Sequence, residues 1–160
     1  MPYFVDITAR LNRIKRINQS EMLNNILAEP YVRAYVVDLI KWEQLFKGID
    51  GKGDDLESIG GAYTNYTVML KQQLPSPYNV IDRVTLLSTG EYYDSLIMVA
   101  ARGNETLIKV FSDPIKDGVS LEKRWGSHLT ELTDENTRKL ALELLPLLRK
   151  SFLDTWTGKN

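Results

Sequence analysis

The chain has 160 residues, of which 43% are apolar, 26% charged and 9% aromatic. That is enough apolar material for the core of one domain and argues against wholesale disorder. Twenty Lys and Arg against twenty-one Asp and Glu leave a formal charge of −1, too little for a surface-wide field that gathers nucleic acid. The absence of cysteine excludes disulfide scaffolds, thiolate metal sites and thiol nucleophiles, and a single histidine, His128, excludes a His-rich metal site.

The first segment reads as a helix. Asp6 is placed to cap it, and Ile7, Leu11, Ile14 and Ile17 recur at helical spacing, with Arg10, Arg13 and Arg16 on the opposite side as a solvated face. Those charges also break any signal-peptide core, and apolar runs such as Leu144–Leu148 fall far short of the ~20 residues of a membrane span. The expectation is a soluble chain made in the cytosol. A second helix begins at Ser20 and runs to about Ala28, after which Pro30 either breaks it or starts another. Val32, Tyr35, Val36, Leu39, Ile40 and Phe46 then keep the 3.6-residue period up to Gly48, a natural stop.

From Gly48 to Gly61 five glycines and four acids fall within fourteen residues, which predicts a loop. Tyr63–Thr67 follows, Val68–Lys71 can form one helical turn, and Leu74-Pro-Ser-Pro-Tyr78 breaks the chain again. Residues 48–80 are therefore expected to be a long, extended loop region, of the kind that is functional or disordered in a compact domain. Arg83–Leu87 reads as a short strand. Leu96–Ala101 and Thr106–Phe111 read as a hairpin about Arg102–Glu105, ended by Asp113-Pro114. A final helix starts near Thr133, with Asp134 and Glu135 in its first turn; Pro146 should kink or split it, and Lys159-Asn160 should fray. The fold class expected is α+β within one domain. Residues 1–47 are helical, 48–80 a loop region, 81–112 a small antiparallel β-sheet, and 113–160 a loop and C-terminal helix packed with the N-terminal helices on that sheet.

Catalytic motifs fail residue by residue. Gly51-Lys52 is followed by Gly53, and Phe46 stands where a P-loop needs its first glycine; Leu56 stands where a dinucleotide fingerprint needs its third. Asp50, Lys52 and Asp54 fit the first, third and fifth positions of a calcium loop, but lysine is wrong there, Asp55 replaces the turn glycine and Gly61 replaces the bidentate Glu. His128 has Ser127, Glu131 and Asp134 nearby, yet no Gly-x-Ser-x-Gly elbow exists, so the histidine reads as a solvated or capping residue. No catalytic, metal or cofactor site is expected. Tyr63, Tyr66, Tyr78, Tyr92, Tyr93 and Trp125 are instead candidate anchors of a protein interface, because aromatics in irregular surface segments supply large contact area.

The tract Arg83–Val99, with Ser88-Thr89-Gly90, then Ser95-Leu96, then the hairpin, resembles small head–tail connector and tail-completion proteins of tailed bacteriophages. Leu121–Gly126 resembles the aromatic-x-Gly tract that follows the hairpin in that family. Gly48–Gly53, Tyr63–Thr67 and Lys71 resemble its members in crAss-like and other Bacteroides-type phages. Ser88 stands where the family usually has Asp. The resemblance covers about residues 45–135 and implies a non-enzymatic virion protein that forms a neck ring, twelve-fold, under the portal. Its implied partners are copies of itself, the portal, other neck-ring and tail proteins, and genomic DNA that passes without specific binding; no membrane and no cofactor are implied. Tail completion or tail termination is the alternative reading, and a metal-dependent hydrolase a third. In the ring reading residues 48–80 are mobile in the free subunit and ordered on assembly, and the acidic loop Asp50–Glu57 faces the lumen or rim.

Overall fold

A computed structural model describes residues 9–100, 108–111, 115–116 and 119–158. The expected cap Asp6 with Ile7, the strand end Ala101, the turn Arg102–Glu105, Thr106 and Leu107, the breaker Asp113-Pro114 and the terminal Lys159-Asn160 lie outside the described residues. Helix dominates the rest. Residues 9–14 are helical (α1). Helix α2 is Gln19–Ala28, capped by the Asn18 side chain, which accepts the Glu21 N–H at 3.2 Å. Pro30 restarts the chain as α3, Pro30–Glu43, since a proline in the first turn forgoes no internal hydrogen bond. The helix expected to reach Gly48 therefore stops short, at Glu43, and a separate 3₁₀ turn, Leu45–Lys47, ends at Gly48 with φ +84°.

The helix breaks at Gln44 because its side chain is drawn inward. Its Nε2 donates to the Glu131 carbonyl at 2.8 Å, and its Oε1 accepts from the Thr133 N–H at 3.0 Å and from Asn136 Nδ2 at 2.8 Å. Asn136 Nδ2 also reaches the Leu39 carbonyl at 3.4 Å. Buried polar groups are tolerated when their partners are in place, and this set ties the end of α3 to the start of the last helix. That helix, α8, is Asp134–Thr157, capped by Thr133 as predicted. It runs unbroken through Pro146, so the expected split does not occur. Pro146 sits on the exposed side, where the carbonyl it leaves free can reach water.

Between these ends lie α4 (Leu56–Gly60), α5 (Asn65–Gln72), α6 (Glu91–Ser95), β1 (Ile97–Ala100), β2 (Ile108–Phe111), β3 (Ile115–Lys116), β4 (Val119–Ser120) and α7 (Leu121–Trp125). A second 3₁₀ turn, Ser127–Thr130, joins α7 to α8. Strand β1 pairs antiparallel with β2, Ile97 opposite Phe111 and Ala100 opposite Ile108, and β3 pairs with β4. Helices α2, α3 and α8 pack on one another, and α2 and α3 also lie against β1. The core gathers Val32, Val36, Leu39 and Ile40 of α3 with Leu27, Leu45, Leu56, Val84, Met98, Leu129, Leu140 and Leu144. The molecule is thus α-rich.

Two expectations are corrected. Arg83–Leu87 is not a strand, although Val84, Thr85 and Leu87 are buried. Its backbone bonds go to side chains instead of a neighbouring strand. The Thr85 N–H donates to the Tyr63 hydroxyl at 2.9 Å, the Tyr93 hydroxyl donates to the Thr85 carbonyl at 2.7 Å, and the Leu87 N–H reaches Thr85 Oγ1 at 3.3 Å. Among the described residues the predicted sheet over 81–112 therefore reduces to the β1–β2 ribbon at its end. Residues 48–80 are not an extended loop, because they hold α4 and α5 and contribute Leu56 and Lys71 to the interior.

Candidate interaction surface

The order in 48–61 comes from Asp50 and two close-packed glycines. Asp50 is 2% exposed, and its Oδ1 accepts the N–H groups of Lys52 at 2.8 Å and Asp54 at 3.0 Å, closing the turn on itself. A Cβ on Gly51 would stand 2.6 Å from the Glu131 side chain and 2.7 Å from the His128 carbonyl, which accepts the Gly51 N–H at 2.9 Å. A Cβ on Gly60 would collide with the Trp125 ring. These glycines serve close approach to the segment 125–131 instead of loop adaptability. The expected rim-facing acidic loop is corrected for Asp50, whereas Asp54, Asp55 and Glu57 are exposed. His128 is half-buried, with Nδ1 2.8 Å from Glu131 Oε2, a local pair across one turn. Among the described residues no three His, Asp or Glu side chains converge as a metal site would require.

Helix α5 is held by its cap and by one lysine. The Thr64 hydroxyl accepts the Thr67 N–H at 3.2 Å. Lys71 is 1% exposed, its Nζ donates to the Leu87 carbonyl, and its ammonium lies 5.1 Å from the centre of the Tyr63 ring. A buried ammonium needs such partners, a carbonyl and an aromatic face. Because residues three and four apart share a helix face, putting Lys71 inward puts Tyr66, Met69 and Leu70 outward. They are 66%, 51% and 44% exposed. The helix is inverted, with its cation inside and its hydrophobes outside. Between Glu57 and Asp82 the sequence holds no charge other than the buried Lys71, so this stretch itself adds no exposed charge beside its apolar residues.

The six aromatic candidates separate clearly. Tyr66 is open to solvent, while Tyr63 and Tyr78 are half-buried against the core. Tyr92, Tyr93 and Trp125 are corrected to core residues. Tyr93 packs edge-on against Trp42 with ring centres 5.7 Å apart and against Tyr92 at 6.3 Å. Burial, reinforced by the nearby Tyr63 and Tyr92 hydroxyls, holds the Tyr93 hydroxyl well above the usual tyrosine range. The sequence reading missed Met69 and Leu70, whose spacing of three and four from Tyr66 within an uncharged run is the signal for them. It also missed Leu142 and Leu145, the exposed side of α8. The chain matches no known protein family, no curated protein and no solved structure.

Proposed function

We propose that the protein is a structural subunit whose work is assembly, a head–tail connector that forms a neck ring between portal and tail in a tailed-phage virion. The observation that carries this reading is helix α5, which shows Tyr66, Met69 and Leu70 to solvent within a stretch of sequence that adds no exposed charge. Tyrosine and methionine are enriched, and charges depleted, at the centres of protein interfaces. An exposed apolar patch of this kind marks a contact surface. The order Thr89-Gly90, one helical turn ending at Ser95-Leu96, then strand β1 supports the phage resemblance locally. An α+β body, with helices about a small antiparallel sheet, belongs to the same proposal. Subunits of a ring meet through two different surfaces that close by rotation, and α5 is one of the two.

The test is the mass of the purified full-length chain by native mass spectrometry, with electron-microscope images of the same sample. Rings are expected for the wild type, and the double substitution Tyr66→Ala, Met69→Ala should release folded monomers with unchanged circular dichroism. A chain that stays monomeric both alone and with portal protein overturns the reading.

A further inference from the structure

The outer side of α8 carries a second unpartnered stripe. Leu140 and Leu144 point into the core, whereas Leu142, Leu145 and Leu153 are 68%, 57% and 46% exposed. The same side carries Arg138 and Arg149, both exposed. Eleven residues make three turns, so these arginines stand on one face, about 16 Å apart, at either end of Leu142 and Leu145. Neither makes an ion pair or a side-chain hydrogen bond among the described residues, not even Arg138 with the exposed Asp134 one turn before it. Lys139 is paired with Glu43 at 2.8 Å and with Glu135 at 2.9 Å, so the Glu135 carboxylate at the start of this face is taken.

From this pattern we infer that the outer face of α8 docks an amphipathic helix of a partner protein, one with acidic residues about three turns apart at the margin of its apolar side. Leucines and an apolar stripe give affinity in such helix-on-helix contacts, while charges at the margins choose the partner. A second copy of this chain is the poorer occupant. Two α8 helices crossing antiparallel about the Leu142–Leu145 midpoint would oppose Arg138 of one to Arg149 of the other, and like charges face to face are unfavourable. An acidic helix meets the same two arginines with opposite charge.

The experiment uses the full chain and two synthetic amphipathic helices of about 18 residues. They share one leucine stripe and differ in carrying two Glu or two Lys eleven residues apart. Fluorescence anisotropy should show the Glu peptide binding at least about tenfold more tightly than the Lys peptide at low salt, with the gap narrowing as salt rises. The double substitution Arg138→Glu, Arg149→Glu should reverse the preference, and Leu142→Asp should weaken both peptides with the fold intact. Equal binding of the two peptides, or no reversal, overturns the inference. So does concentration-dependent dimerisation that Leu142→Asp abolishes and the Glu peptide fails to compete, because the occupant is then a second copy. Since α5 is untouched, ring formation by the Leu142→Asp chain reports separately on the proposed function.

Discussion

Lys71 is placed against its residue type, and two effects compete there. Burying an ammonium is costly, yet its methylene stem packs in the interior and its head supplies the donor that the Leu87 carbonyl needs. Truncation to alanine removes the stem and orphans the carbonyl together, so Lys71→Ala should lower stability by about 2–4 kcal/mol. Lys71→Met restores the stem alone and should recover roughly half of that loss. Urea unfolding of the two variants decides the point, and an alanine variant within about 0.5 kcal/mol of wild type would show that the lysine is a passenger. Nothing in the sequence around Lys71 announces its burial. A lysine is normally read as solvent-facing, and partners outside its own helical turn, Leu87 and Tyr63 among them, make the inward position tolerable. Tyr92 and Tyr93 misled in the opposite sense, because a Tyr-Tyr pair after a glycine looks like surface until Trp42 and Thr85 are found beside it.

At the scale of elements, what is capped locally is what could be foreseen. Pro30 and Thr133 act within one turn of themselves and mark helix starts where predicted, whereas the helix expected to reach Gly48 ends at Glu43 and Gly48 closes only a 3₁₀ turn. Arg83–Leu87 was misread because its hydrogen-bond partners lie outside the segment and are side chains, so β-propensity carried no information about them. The join between α3 and α8 depends on a second long-range set at Glu43, whose carboxylate takes Lys139 and Lys47, each at 2.8 Å. Hydrogen bonds from Lys139, then Lys47, hold the Glu43 carboxyl at about 2. A carboxyl depressed by folding contributes stability that is complete above its ordinary value and is lost as pH falls through the depressed one. The network should therefore be intact at neutral pH, weaken below pH ~4.5 and be gone near 2. Titration of the Glu43 side-chain carbon by NMR should give an inflection well below the ordinary glutamate value, and Lys139→Met should move it back up. An unperturbed Glu43 titration would mean that the pair does not persist in solution.

For the whole molecule, the consequential question is whether residues 48–80 are ordered before any partner arrives. A flexible segment would lose conformational entropy on docking, whereas a preformed face spends little of its binding energy on ordering. The contacts favour the second case. The Leu56 N–H donates to the Gly48 carbonyl at 2.8 Å and the Val68 N–H to Thr64 at 2.9 Å; Leu56 shares the core with α3, and Lys71 is buried against Leu87 and Tyr63, which pack in or against that core. Segments that share a core open together with it, and their amides exchange only when the shared unit opens. In the isolated chain the Leu56 and Val68 amides should thus exchange within about tenfold of the rates at Val36 and Ile40, and Lys71→Ala should speed Val68 more than Val36. Free exchange at Leu56 and Val68 beside a protected α3 would restore the view that this stretch is ordered only on assembly. Protection would mean instead that Tyr66, Met69 and Leu70 are presented ready-made, so that loss of assembly in their variants reflects lost contact with a neighbour and not lost order in the subunit.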